Sequence, residues 1–293
     1  MGADGSTPVS DPLRGRRPRH VTKQVAFLES KSAGADSRMV HRERLLKVMT
    51  LNVAHGRKDG FHQALLSRRS VAANVREIGA LIKREGPDLV ALQEVDGPSL
   101  WSGRFDHSET IAYTAEYGSF ARGTHVRGLG LDYGTALLSR TPLQQTTSTT
   151  FDRSFPTLPK GFLKATVDWP RRAHAKVDVV SLHLDFLSRR VRMRQVEAVV
   201  GACQSRERPL VLMGDFNCDW AGAERTLTVL SDRLGLRTFE PHRRDLVTFP
   251  TSGRRLDWIF VSSELEFVLY QVLPDVVSDH RAVVATLRLT SET

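Results

Sequence analysis

The chain has 293 residues, of which 40% are hydrophobic and 26% charged, enough apolar material for a core in one large domain or two small ones. Lys and Arg number 42 against 33 Asp and Glu, a net charge of +9 that favours polyanions such as nucleic acid, anionic lipid or phosphorylated small molecules without choosing among them. Only two cysteines, Cys203 and Cys218, occur, and no Cys-x-x-Cys pair, which argues against a thiolate zinc site; two free thiols in a reducing compartment are expected.

Residues 1–44 are rich in Gly, Ser, Pro and Arg and hold nine Lys or Arg against five Asp or Glu. Such a segment cannot bury enough surface to offset its ordering entropy, so a disordered basic tail is expected there, and a single folded domain over 45–293. Met1-Gly2-Ala3-Asp4-Gly5-Ser6 fits the myristoylation pattern, which chance also produces easily. No apolar run approaches the roughly 20 residues that span a bilayer, and no secretory apolar stretch opens the chain. A soluble, cytoplasmic protein is the expectation.

The globular pattern begins at Leu45. Leu46–Leu51 reads as a strand. Val71, Val75, Ile78 and Ile82 share one helical face, and Gly86-Pro87 stops that helix. Leu89–Leu92 reads as a buried strand. Further strands are expected at Thr135–Ser139, Ala165–Trp169, Val177–Leu182 and Leu210–Met213. A helix should begin after Ser188 and carry Val191, Val196, Val199 and Val200, and another should cover about Ala221 to Leu234. Trp258–Val261, Phe267–Val272 and Ala282–Leu289 complete a strand-rich end. Strands outnumber helices, yet helices intervene, which points to a layered α/β or α+β domain rather than an all-β sandwich.

Polar residues gather where these apolar runs stop. Asn52 follows Leu51, Gln93-Glu94 follow Leu92, His183-Leu184-Asp185 follow Leu182, and Gly214-Asp215-Phe216-Asn217 follow Met213. Pro274-Asp275-Val276-Val277 leads into Ser278-Asp279-His280. Rigid elements that deliver acids, amides and imidazoles to their ends suit a functional site. Carboxylates and amides are hard oxygen ligands, apt for Mg²⁺ or Mn²⁺. Each residue alone also has a structural reading as a strand end or turn former; their joint occurrence carries the argument.

In order along the chain, Val48–Asn52, Leu92–Asp96, Ser181–Asp185, Gly214–Asn217, Arg255–Ile259 and Ser278–His280 resemble the motifs of the endonuclease/exonuclease/phosphatase (DNase I-like) superfamily, over about Leu46 to Leu289. The resemblance implies a four-layer α/β/β/α sandwich of two mixed β-sheets flanked by helices. It implies a phosphoester hydrolase that uses Mg²⁺ or Mn²⁺, as one ion or two. Glu94 would ligate the metal, with Asn52 and Asp279 assisting. Asp215 would position or deprotonate the attacking water, Asn217 would donate to the scissile phosphate, and His280, oriented by Asp257, would stabilise charge on phosphorus. His183 would contact the phosphate. Tyr133 stands where many members carry a site tyrosine, although a Tyr before Gly also serves packing.

Two departures weigh against the abasic-site endonuclease branch: Asp96 where that branch has Lys, and Ala54 where it often has Asp. The expected substrate is a phosphodiester or phosphomonoester of a lipid headgroup, nucleotide or sugar phosphate. A DNA or RNA nuclease is the alternative that the basic charge allows, and a catalytically dead phosphate-binding protein is the third. Nucleic acid and anionic lipid are candidate partners; no obligate protein partner is implied. Arg189, Arg190, Arg192 and Arg194 read first as a solvated helix face and second as anion contacts, and Arg104 is expected in a loop with the same two readings.

Overall fold

The computed structural model describes residues 45–58, 66–170, 172, 174–220 and 224–290. The tail over 1–44 and its myristoylation pattern lie outside the described residues.

Strands β1 (Leu45–Asn52), β2 (Leu89–Asp96), β3 (Ser119–Gly128), β4 (Leu131–Ser139), β11 (Leu265–Val272) and β12 (Val283–Leu289) form one sheet, in the order β11-β12-β1-β2-β4-β3. Strands β5 (Gln144–Thr150), β6 (Gly161–Asp168), β7 (Lys176–His183), β8 (Leu210–Asp215), β9 (Leu236–Thr238) and β10 (Asp257–Ser262) form the other, in the order β5-β6-β7-β8-β10-β9. Both sheets are mixed, since β1–β2 and β7–β8 pair in parallel and the remaining pairs are antiparallel. Four helices cover the outer faces: α1 (Arg68–Glu85), α2 (His107–Ala115), α3 (Arg189–Cys203) and α4 (Thr226–Leu234).

Three apolar layers result. Val48, Leu89, Ala91 and Leu137 of one sheet meet Leu163, Ala165, Val179, Val211 and Ile259 of the other. On the outer face of the first sheet, Met49, Leu51, Val90 and Leu92 pack with Val71, Val75, Ile78 and Ile82 of α1 and with Ile111 of α2. On the outer face of the second, Val180, Leu182 and Leu212 pack with Val196, Val199 and Val200 of α3 and with Leu227 and Leu230 of α4. The central strands therefore bury both faces, which is why they read as unbroken apolar runs. The fold is the expected α/β/β/α sandwich.

Helix α1 shows the local logic. The Ser67 hydroxyl accepts from Ser70 N at 3.1 Å, and Gly86 ends the helix in the left-handed region at φ 59. Each large side chain of its inner face contributes up to about 1.5–3 kcal/mol by burial. Four elements were not legible, among them the three-residue β9. Strands β3 and β5 are largely polar, and α2 is a short helix capped by Asp106, whose carboxylate accepts from Glu109 N at 3.0 Å. The helix expected from Ala221 begins at Thr226; residues 221–223 lie outside the described set. Cys203 and Cys218 are both buried free thiols. Among the described residues no helix is long and apolar enough to cross a membrane.

Candidate active site

The registers gather the polar strand ends. His183 pairs with Asp215, and Asp215 with Asp257, so the three form one row across β7, β8 and β10. Gly214 makes the row fit. Its φ is 152, and a Cβ there would stand 1.9 Å from the Leu182 carbonyl oxygen. In the other sheet Asn52 ends β1 beside Gln93 of β2. A bulge between Gln93 and Val95 then turns Glu94 to φ 54, out of the pleat. A non-glycine residue held there indicates a backbone fixed by its surroundings.

Asp215 is buried and accepts three hydrogen bonds: from Asn52 Nδ2 at 2.9 Å, from the Asn217 backbone at 2.9 Å and from Asn217 Nδ2 at 3.3 Å. Burial pushes its carboxyl up to about 6, against the pull of the nearby His280 cation. Asp257 accepts from His280 Nδ1 at 2.8 Å, leaving Nε2 on the Asp215 side, 3.9 Å from its carboxylate. Burial disfavours the His280 cation, yet Asp257 and Asp215 together push its pKa up to about 10. The ring is therefore an imidazolium at neutral pH. The Phe249 ring packs on it at 4.8 Å, and the Thr248 hydroxyl accepts from Leu256 N and Asp257 N, fixing the strand end.

Across from this pair lies Glu94. Burial alone would raise its pKa, but coulombic attraction to the neighbouring His55, Lys160 and Arg57 holds it well below the usual carboxylate range. His55 Nε2 is 3.3 Å from the Glu94 carboxylate, while its Nδ1 bonds Asp96 at 2.6 Å. Asp96 also accepts from Trp101 Nε1 at 2.6 Å. Trp101, His55 and Tyr133 then form an aromatic cluster, with ring centroids 4.8 to 5.8 Å apart. Burial, with the charges of Glu94 and Asp96, raises the Tyr133 phenol pKa, so Tyr133 is a neutral donor. Lys160 Nζ donates to His183 Nε2 at 2.9 Å. Burial and the adjacent Lys160 push the His183 pKa far down, so that ring is neutral. Asp279 faces Arg57 in an ion pair.

The model of the Endonuclease/Exonuclease/phosphatase family matches residues 49–280. The chain belongs to that family. Solved structures agree at the level of fold. An endonuclease/exonuclease/phosphatase from Beutenbergia cavernae is 24% identical, with 84% of this chain and 72% of that one covered and a TM-score of 0.67. A family protein from Leptotrichia buccalis is 18% identical, covering 83% and 100%, with a TM-score of 0.65. The human Nocturnin catalytic domain, solved with a bound sulfate anion, is 19% identical, covering 84% and 95%, with a TM-score of 0.62. A comparison with curated protein sequences gives no match.

Of the nine residues singled out from the sequence of this family member, Asn52, Glu94, Tyr133, His183, Asp215, Asn217, Asp257 and His280 form one network. Asp279 borders it through Arg57, whose charge also reaches Glu94. Sequence reasoning missed His55, Lys160 and the supporting role of Asp96. His55 sits in a short 3₁₀ turn at φ 53, just past the Asn52 strand end. His55 thus lies close to a strand-end signal, whereas Lys160 precedes β6 and is brought to the site only by the pairing of Gly161 with His183. Of the four helix arginines, Arg192 is buried and donates to the Asp185 carbonyl and to Glu224, whereas Arg189, Arg190 and Arg194 face solvent. Arg104 is exposed.

Proposed function

We propose that this chain is a divalent-metal-dependent phosphoester hydrolase acting on a phosphodiester or phosphomonoester of a lipid headgroup, nucleotide or sugar phosphate. One observation carries the reading. Asp215, with a pKa near 6, lies between amide donors and the Asp257-bound His280 cation, and faces an ionised Glu94. A base with a pKa just below neutrality is largely ionised at pH 7 and still able to accept a proton.

The donor set fits a hard cation. Glu94 is kept ionised, and Asn52 and Asp279 add amide and carboxylate oxygens, so Mg²⁺ or Mn²⁺ would be held there. Bound metal would supply charge neutralisation on a phosphoryl oxygen. Asp215, Asp257 and His280 also place ligand atoms within 4.8 Å of one another. Protonation of His280 removes the lone pair that a metal needs, so this second cluster is read as an acid–base unit.

The chain's own residues supply the remaining chemistry. Asp215 takes a proton from the attacking water as the new P–O bond forms and the ester P–O bond breaks, and the leaving alkoxide takes a proton from solvent. Asn217 donates to a phosphoryl oxygen. The His280 Nε2–H stabilises charge at phosphorus, and Asp257 fixes its orientation. Lys160 adds a cation beside His183.

The test is hydrolysis of a panel with Mg²⁺, with Mn²⁺ and with chelator. The panel holds activated phosphodiesters and phosphomonoesters, single- and double-stranded DNA, RNA, inositol phosphates and sphingomyelin. Metal-dependent turnover is expected, and Asp215→Ala and His280→Ala should each lower it by about 10² to 10⁴ while leaving the protein folded. Near-normal rates in either variant would remove the assigned roles. The net charge of +9 keeps a nuclease as the second reading; preferred turnover of DNA or RNA, with steep salt dependence of binding, would select it.

A further inference from the structure

Among the described residues ten large hydrophobic side chains are exposed, and six of them, Leu100, Leu129, Phe155, Leu158, Phe186 and Leu187, lie on loops at the active-site end of the sheets. Phe186 and Leu187 closely follow His183. Phe155 and Leu158 lie on the β5–β6 loop, just before Gly161, which pairs with His183. Leu129 tips the β3–β4 hairpin, whose Tyr133 pairs with Asp96. Leu100 N donates to the Gly130 carbonyl of that tip at 2.8 Å, and the next residue, Trp101, stacks on Tyr133.

These loops are braced. Thr157 Oγ1 donates to Asp185 at 2.6 Å, tying the Phe155 loop to the Phe186 loop. His125 Nδ1 bonds the Thr150 hydroxyl at 3.2 Å, tying β5 to the hairpin strand β3. Lys160 Nζ, bonded to the site histidine, also lies 5.6 Å from the Phe186 ring centroid. The apolar rim is thus continuous with the site.

Leu129 is the most telling member. It is fully exposed, at 102%, and its φ of 50 belongs to the region that glycine and asparagine occupy most easily. A leucine held there incurs backbone strain while packing against little of its own chain. An outlier of this kind points to use of the side chain outside the fold.

The charge around the rim decides the partner. Arg104, Arg127, Arg153, Arg189 and Arg190 are exposed on the same loops or at their ends. Arg127 reaches Asp132 at 3.5 Å, and among the described residues the other four form no ion pair. Apolar tips on separate loops, interleaved with arginines, match a bilayer interface: the tips enter the headgroup–acyl boundary and the guanidinium groups meet anionic headgroups. A nucleic acid would satisfy the arginines but leave the aliphatic leucines in water, since stacking requires π faces.

We propose that the rim of the active site docks on an anionic phospholipid bilayer through Leu100, Leu129, Phe155, Phe186 and Leu187. This rests on the phosphoester reading only in directing the site at phosphorylated headgroups. The test uses the full chain and its Leu129→Asn/Leu187→Ser variant in flotation with vesicles of phosphatidylcholine alone and with phosphatidylserine added. The wild type should float with the phosphatidylserine vesicles, and the variant should bind about tenfold less or weaker still. The variant should keep its thermal midpoint and its turnover of a water-soluble phosphodiester. Failure of the wild type to float at either composition, equal binding by the variant, or capture by single-stranded DNA in place of vesicles would each overturn the proposal. Flotation without hydrolysis of any phosphoester would leave the docking surface standing and remove the enzymatic reading instead.

Discussion

At the scale of single residues, the partners of a buried group decide which charge state it holds. His280 and His183 flank the same carboxylate, yet one is a cation and the other neutral. The difference is their partners: His280 bonds a carboxylate and His183 an ammonium. Lys160 is the residue whose removal tests this picture. Its own pKa is lowered by burial and partly restored by Glu94, Asp215 and Asp185. Lys160→Met should lower turnover by about 10- to 100-fold, read as kcat/KM on the best phosphoester; a change within twofold would reduce Lys160 to packing. His125 gives a test away from the chemistry. Both ring nitrogens bond threonine hydroxyls, and burial, with Lys160 and Arg122 nearby, pushes its pKa down to about 4 from 6.5. The unfolded chain therefore binds a proton at His125 that the folded one does not. The stability it contributes is fully present above pH 6.5 and is lost as pH falls towards 4, on the order of 3 kcal/mol in all. Denaturant titrations across that window should show the loss, and His125→Gln should flatten it; an unchanged slope would place the acid sensitivity elsewhere.

At the scale of elements, the site depends on two local irregularities in otherwise regular strands. The bulge in β2 carries Glu94 out of the pleat, and the extended Gly214 in β8 admits the neighbouring strand. A Cβ at Gly214 would collide with backbone, which cannot move aside as a side chain can. Gly214→Ala should destabilise the fold by about 3 kcal/mol or more and spread β8 from β7. Thermal unfolding and the residual turnover of the folded fraction measure the two effects. A wild-type midpoint would show that the strands relax around the methyl group. Elements that were legible share one property, an apolar run or stripe facing a layer. Strands β3 and β5 lacked it because they are the outermost strands of their sheets, where a polar face meets solvent. Their registers nevertheless carry the hairpin and the loop that form the apolar rim.

At the scale of the whole molecule, two sheets with opposed strand ends create a single edge where the polar termini converge. Removal of residues 1–44 should leave cooperative unfolding and metal-dependent turnover intact, because a segment rich in Gly, Ser, Pro and Arg has too little apolar surface to join a core. A lowered midpoint in that truncation would show that the segment packs on the domain. The sequence by itself determined the family, the layered architecture and eight residues of the connected network. Asn52, Glu94, His183, Asp215, Asn217 and His280 are written locally, as an acid, amide or imidazole after an apolar run, whereas Asp257 and Tyr133 came from the family resemblance. Tertiary structure alone decided what those residues do to one another. The His183–Asp215–Asp257 row, the Asn52 bond to Asp215 and the charges set on Glu94 and His280 arise between strands far apart in sequence. Coulombic and desolvation effects depend on distance and burial, and neither is encoded by any residue's immediate neighbours.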